Sequence, residues 1–361
     1  MAKKIYNFKP GPATLPDEVM QKAQDEFTDY QGQGYGIAEE SHRSKTFQEI
    51  MDKTQNNIRE LLGIGDDYAV LFLQGGASLQ FSMLPMNLML DGKPACYADT
   101  GSWASKAIKE AKLFGDVNVV YSGKEKNYSE IGDPHSWQIP ADASYCYVCT
   151  NNTIFGTQLR SLPDTGNVPV IADMSSDIFS RPINMDNYDV IFAGAQKNLG
   201  PAGVTLVVMR KDLAERTKDT VPTMLAYPTH IEKNSLFNTP PTFAIYMVGL
   251  MTDWIKKQGG LEGMEKLTNA KSNSLYEYID SSSFYTGTAE PADRSTMNVC
   301  LRLPTEELEQ KFLKESEEAG LLGLKGHRSV GGIRVSIYNG MPLQGVEKLI
   351  DFMSEFEKAN S

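Results

Sequence analysis

Seven short apolar runs, YAVLFL, KPACYA, VNVVYS, SYCYVCT, VPVIAD, YDVIFAG and GVTLVVMR, follow one another between residues 68 and 210. Polar helical or loop segments separate most of them. Runs that are continuously apolar, rather than alternating, suit strands buried on both faces, and such strands build a mostly parallel sheet covered by helices. The seventh run follows the sixth too closely for a helical crossover, so those two are expected to pair antiparallel. The chain is therefore expected to be an α/β protein.

The flanks complete the organisation. YNFKPGPATLP, rich in Pro and Gly, reads as an extended arm. LPDEVMQKAQDEFTDY and SKTFQEIMDKTQNNIRELLGI read as helices, the first opened by Pro16 and Asp17, the second ending near Gly63. After about residue 240 a long helical region is interrupted at Gly259-Gly260. STMNVCLRLP, a helix, GIRVSIYNG and a last helix then form a smaller α+β unit with an antiparallel sheet. A chain of 361 residues exceeds one ordinary core. The expected division is an arm over 1–16, a large domain over 17–258 and a small C-terminal domain over 259–361.

The net charge of −11 argues against nucleic acid or an anionic membrane as the main partner. Any anion site must then be a compact local cluster. No run approaches the roughly 18 apolar residues of a membrane span, and the N-terminus lacks an apolar signal core. Cys146 and Cys149 are three apart in a strand, point to opposite faces and suit small core residues better than a metal or disulfide. A reduced, cytoplasmic protein is expected.

The ends of the apolar runs carry the chemistry. FLQGGASLQF ends a strand on two glycines and opens a helix at Ala77 and Ser78, where free N–H groups and a hydroxyl suit an anion. The spacing is neither G-x-G-x-x-G nor a P-loop, and a glycine pair can equally be a plain turn. VPVIAD ends on Asp173, and YDVIFAG runs into Gln196 and Lys197. In open α/β sheets ligands bind beyond the carboxyl ends of the strands, and a desolvated lysine there is a nucleophile toward carbonyls. Taken singly, Asp173 reads as a cap or ion-pair partner and Lys197 as a surface lysine. DTGSWASK adds Trp103 after the second run and CTNNTIFG adds Thr153 after the fourth. One cofactor asks for all of these parts together. Pyridoxal 5′-phosphate needs a lysine, an aspartate for its ring nitrogen, a phosphate cradle and a flat group over the ring.

The substrate side is legible separately. Two of the four histidines fall in the same tripeptide, as His42-Arg43-Ser44 and His327-Arg328-Ser329, and Arg334 follows in GGIRVSI. Arginine forks match phosphate and carboxylate groups. The plainer alternative is exposed arginines in two unrelated loops. His135 and His230 have no evident role beyond structure or surface.

With YNFKPGPATLP, SHRSK, GGASLQF, TGSW, NNTIFG, ADMSSDIFSRP, AGAQKNLGPAG, NTPPTF and HRSVGGIRVSIYNG, the sequence resembles, nearly end to end, the phosphoserine aminotransferase family. This family lies in class V of the pyridoxal-phosphate fold type I superfamily. The resemblance implies that Lys197 forms the Schiff base, Asp173 partners the pyridine nitrogen, Trp103 stacks on the ring and Thr153 bonds its hydroxyl oxygen. It implies that Ala77, Ser78 and Gln196 hold the phosphate, completed by Asn238 and Thr239 of the other subunit in a homodimer. His42, Arg43, His327, Arg328 and Arg334 would bind the phosphate and carboxylates of the substrates, with Arg334 on the α-carboxylate. Some bacterial members carry arginine where this chain has Ser78. The implied reaction moves an amino group between L-glutamate and 3-phosphohydroxypyruvate, giving O-phospho-L-serine and 2-oxoglutarate in serine biosynthesis. The four-carbon phosphorylated substrate of vitamin B6 biosynthesis is a second candidate.

Other class V activities are alternatives. A cysteine desulfurase needs a mobile reactive thiol, whereas Cys300 in MNVCLRL is expected in a buried strand. Enzymes of unphosphorylated substrates would not need both His-Arg pairs. A non-catalytic scaffold would not need Lys197, Asp173 and Trp103.

Overall fold

The computed structural model describes residues 4–361, so the first three residues of the expected arm lie outside the described residues. The chain opens with β1 (Tyr6–Asn7), α1 (Asp17–Thr28), α2 (Lys45–Leu62), β2 (Tyr68–Leu73), α3 (Gly76–Leu88), β3 (Ala95–Asp99), α4 (Ser102–Ala111) and β4 (Val117–Ser122). It continues through β5 (Cys146–Cys149), β6 (Asn151–Asn152), β7 (Thr157–Gln158), β8 (Val170–Asp173), β9 (Val190–Gly194) and β10 (Thr205–Arg210). Helices α5 (Tyr227–Glu232), α6 (Thr242–Lys257) and α7 (Gly260–Ser281) follow. The tail carries β11 (Thr286–Gly287), β12 (Asn298–Arg302), α8 (Glu306–Glu318), β13 (Leu321–Leu322), β14 (Ile333–Ser336) and α9 (Leu343–Asn360).

The seven apolar runs form one sheet in the order β2-β10-β9-β8-β5-β3-β4. All its neighbours pair parallel except β10, which is antiparallel to both β9 and β2, as its short connection requires. Alternate residues of each strand enter different cores. Tyr68, Val70 and Phe72 face the core shared with α2 and α6, while Ala69, Leu71 and Leu73 face the core shared with α3 and α4. This two-sided burial is why the runs are continuously apolar. The edge strand β4 is only half-buried. Cys146 and Cys149 divide between the two cores, and all four cysteines are free and buried.

Local chemistry sets the ends of the helices. Ser44 caps α2 by accepting the Phe47 N–H at 3.0 Å, and Gly63 ends it with a left-handed φ of 64°. Thr305 caps α8 through the Leu308 N–H at 3.2 Å.

A third core packs Leu275 and Ile279 of α7 with α8, α9 and the antiparallel sheet β11-β12-β14. Phe8, from the arm, is part of it, and β1 pairs parallel with β13. Helix α7 starts in the first core, through Leu261 and Met264, and ends in the third. It is a continuous strut between them.

Candidate active site

Five loops leave the carboxyl edge of the large sheet around one cavity of about 400 Å³. Ala77, Ser78, Trp103, Thr153, Asp173, Gln196, Lys197, His327 and Arg334 all line it, together with Pro10, Gly11, Gly75, Gly76, Ile154 and Ser175. Residues far apart in sequence meet here because a parallel sheet delivers every strand end to the same edge.

Lys197 lies in the turn after β9 and donates from Nζ to Thr153 Oγ1 at 2.8 Å. The same nitrogen is 5.2 Å from the centroid of the Trp103 ring. Enclosure by protein holds the Lys197 amine below the ordinary lysine range, against the attraction of Asp173. Asp173 ends β8 and is 5% exposed. Its Oδ1 accepts the Ser175 N–H at 2.9 Å and the Ser175 hydroxyl at 2.6 Å. Burial nevertheless raises the Asp173 pKa, opposed first by Lys197 and then by Ser175. Each member of this pair is therefore held in a site that disfavours its own charge. A protonated ring nitrogen beside Asp173 would supply a counter-charge.

The mouth of α3 is shaped for a close approach. Gly75 and Gly76 have φ of 86° and 66°. A Cβ on Gly75 would lie 2.6 Å from Leu79, whereas one on Gly76 would meet nothing within 4 Å. The first-turn amides of α3, which no intrahelical carbonyl can satisfy, thus open beside free space, with Ala77 and Ser78 on the cavity wall.

Arg334 reaches the cavity from β14. It is 6% exposed and donates to the Thr153 carbonyl at 3.4 Å, while its Nε is buried with no partner. A guanidinium that lines the cavity with no carboxylate partner among the described residues suits an anionic ligand. His327 bonds Ser329 through Nδ1 at 2.6 Å, and burial together with Arg334, Arg328 and Lys106 pushes its pKa down. The Trp103 Nε1 is likewise buried and unpartnered.

Five predicted residues do not reach this cavity within one chain. Arg328 is exposed beside His327, outside the lining. His42 and Arg43 line a separate cleft with Leu236, ahead of α2. Asn238 borders another small cavity, and Thr239 contributes its carbonyl to Gln74 Nε2 at 3.3 Å. Leu236, two residues before Asn238, lines the same cleft as His42 and Arg43. His230 is buried and bonds the Met224 carbonyl at 2.9 Å, while His135 is exposed.

Sequence reasoning missed Ser175, Pro10, Gly11 and Asn198. The arm passes over the lysine turn, where Ala13 N–H donates to the Gln196 carbonyl at 2.9 Å. A Cβ on Gly11 would lie 3.3 Å from Lys197 Cγ. The clustering of Gly11 with Pro10 and Pro12 was the available signal for a tight passage. Ser175 is two residues after Asp173, a spacing that lets a hydroxyl return to a carboxylate.

The cysteines carry no reactive thiol. Burial pushes Cys300 up to about 12 and Cys96 up to about 11, so neither is a ready thiolate, and no His/Cys/Asp/Glu cluster fit for a metal occurs among the described residues.

This cavity, on this sheet, defines a pyridoxal-phosphate enzyme of fold type I, since the lysine, carboxylate, indole and helix N-terminus that the cofactor requires all fit. A family model described as aminotransferase class-V matches residues 5–349. A phosphoserine aminotransferase of Desulfosudis oleivorans is 51% identical over 362 residues, covering 100% of both chains. The solved phosphoserine aminotransferase of Bacillus circulans subsp. alkalophilus superposes with a TM-score of 0.97 at 48% identity, covering 99% of each chain. One from Trichomonas vaginalis, described as bound to PLP, gives 0.92 at 38% identity over 97% of this chain and 100% of that one. The chain belongs to the class-V aminotransferases and, among them, to the phosphoserine aminotransferase family.

Proposed function

We propose that this chain transfers the amino group of L-glutamate to 3-phosphohydroxypyruvate, forming 2-oxoglutarate and O-phospho-L-serine for serine biosynthesis, with pyridoxal phosphate as cofactor. The observation that carries the reading is the convergence of Lys197, Thr153, Asp173, His327 and Arg334 on one cavity.

Pyridoxal phosphate, when bound, supplies a carbonyl that condenses with amines and a ring that takes up an electron pair. Asp173, held by Ser175, would keep the ring nitrogen protonated. Trp103 would lie against the ring, and Thr153 would bond its hydroxyl oxygen. Ala77, Ser78 and Gln196 would hold the phosphate, joined by Asn238 and Thr239 of a second subunit. Arg334 would bind the α-carboxylate of either amino acid. His327, Arg328, His42 and Arg43 would bind the distal anion, a carboxylate in one substrate and a phosphate in the other. Lys197 Nζ, with its pKa lowered by enclosure, is suited to act as the base that takes the α-proton.

We read the active form as a homodimer. The support is that none of the four predicted residues His42, Arg43, Asn238 and Thr239 lines the cavity of its own chain. No helix among the described residues is long and apolar enough to cross a membrane, and the expected location is the cytoplasm.

The test is a substrate panel with glutamate as donor. Glutamate-dependent conversion of 3-phosphohydroxypyruvate is the expected result, and a side-by-side assay of the four-carbon phosphorylated keto acid decides whether the vitamin B6 step is shared. Turnover of glyoxylate or pyruvate in preference to either phosphorylated keto acid overturns the reading.

A further inference from the structure

Helix α4 presents two cationic contacts to one indole. Lys197 Nζ is 5.2 Å from the Trp103 centroid, and Lys106 Nζ, one turn beyond Trp103 on the same helix, is 4.2 Å from it. Lys106 is an exposed residue near the start of α4. Among the described residues it has no carboxylate partner: Glu110, one turn further along, instead accepts the Ser82 hydroxyl at 3.2 Å. An exposed lysine on an amphipathic helix normally extends into water or pairs at i,i+4. This one lies back over the ring that lines the cavity.

Its charge is also felt inside. Lys106 acts with Arg334 and Arg328 against protonation of His327, which lines the cavity. Three cationic side chains therefore act on one imidazole, and no acidic side chain lines this cavity except Asp173, which is committed to Ser175 and Lys197. Like charges gathered at a cavity without carboxylate partners are costly until an anion arrives. A singly charged carboxylate satisfies Arg334. The remaining positive charge, at Lys106 and Arg328, matches a phosphate dianion, which would also let His327 take up a proton.

We propose that Lys106 is a specificity residue of this site, its ammonium, held over Trp103, binding the phosphate of the substrate while Arg334 takes the α-carboxylate. The inference rests on the substrate reading above and adds a group to it. In the resting protein the indole holds the ammonium close to the site. When phosphate binds, Lys106 exchanges that weak cation–π contact for a charge-assisted hydrogen bond, which is roughly twice as strong as a neutral one. The exchange favours phosphorylated over unphosphorylated substrates. It also pulls His327 toward its protonated form, since the dianion offsets the three cations around it.

The experiment uses holoenzyme of the wild type, Lys106→Met and Lys106→Arg. Methionine keeps the length and helix propensity and removes the charge. Dissociation constants for O-phospho-L-serine and L-glutamate are measured from the change in cofactor absorbance, and the His327 titration is followed by NMR with and without inorganic phosphate. Lys106→Met is expected to weaken phosphoserine about tenfold or more and glutamate distinctly less. Lys106→Arg is expected to recover most of the loss, and phosphate is expected to raise the His327 pKa less in Lys106→Met than in the wild type. An equal loss for both amino acids, or a phosphoserine affinity unchanged in Lys106→Met, overturns the role of Lys106. A wild-type enzyme that does not bind phosphoserine overturns the substrate reading itself, so the two failures are distinguishable.

Discussion

Asn198 Oδ1 accepts the backbone N–H of Asn339 at 2.8 Å, joining the turn that carries Lys197 to the segment that leaves β14 and Arg334. The same two side chains both reach the segment after β8: Asn198 donates to the Ile178 carbonyl and Asn339 to the Phe179 carbonyl, at 2.5 Å and 2.9 Å. All the groups involved are buried. The placement of Lys197 relative to Arg334 is thereby tied to a short buried polar bridge. Asn198→Ala removes the bridge and leaves a buried amide and carbonyl unpaired, at a cost of about 1–3 kcal/mol. Denaturant unfolding should show that loss, and if Arg334 binds the α-carboxylate of both amino acids, as proposed, their Michaelis constants should rise together.

Asp173 pits stability against function. Its carboxylate is buried and its pKa is raised, so in the cofactor-free protein the charged form is a liability above the ordinary carboxylate range. Asp173→Asn should raise the stability of the apo-protein by about 0.5–2 kcal/mol. That advantage should shrink as pH falls through the raised folded value and vanish below the ordinary range, where the wild-type carboxyl is neutral in both states. Turnover should fall by about 10²–10⁴-fold, because the amide cannot hold the ring nitrogen protonated. Apo-protein unfolding and steady-state rates measure the two effects.

Lys271 offers a pH-dependent contrast away from the chemistry. It is 2% exposed on α7, and its Nζ donates to the carbonyls of Ile337, Tyr338 and Met341 at 3.0, 2.7 and 3.1 Å. Burial pulls its pKa down to about 7. For a base with a depressed folded pKa, folding is penalised most below that value and the penalty fades as pH rises toward the ordinary lysine range. Lys271→Met has no such group and leaves three carbonyls short of a donor. The wild type should therefore gain stability over the variant between about pH 7 and about pH 9, read by denaturant midpoints at each.

A shared site predicts complementation. Lys197→Ala and Arg43→Ala should each be nearly inactive alone. If Arg43 serves the neighbouring subunit, mixed dimers contain one site with both native residues, and remixing should recover about a quarter of the wild-type activity. Recovery absent after verified subunit exchange would place Arg43 and Lys197 in the same chain's site.

The seven apolar runs determined the sheet, because only burial on both faces tolerates continuous apolar sequence, and the short link before β10 determined its reversal. Strand ends at Asp173, Lys197, Trp103 and Thr153 were legible as a site because parallel strands deliver their carboxyl ends to one edge. Tertiary structure alone decided what depends on packing between distant segments. The passage of Gly11 over Lys197, the return of Ser175 to Asp173 and the bridge from Asn198 to Asn339 each join short polar or small residues that look ordinary in the sequence. The lean of Lys106 onto Trp103 belongs with them, since the sequence does not show which way its ammonium turns. Burial sets the energies of these contacts, and burial is a property of the assembled molecule.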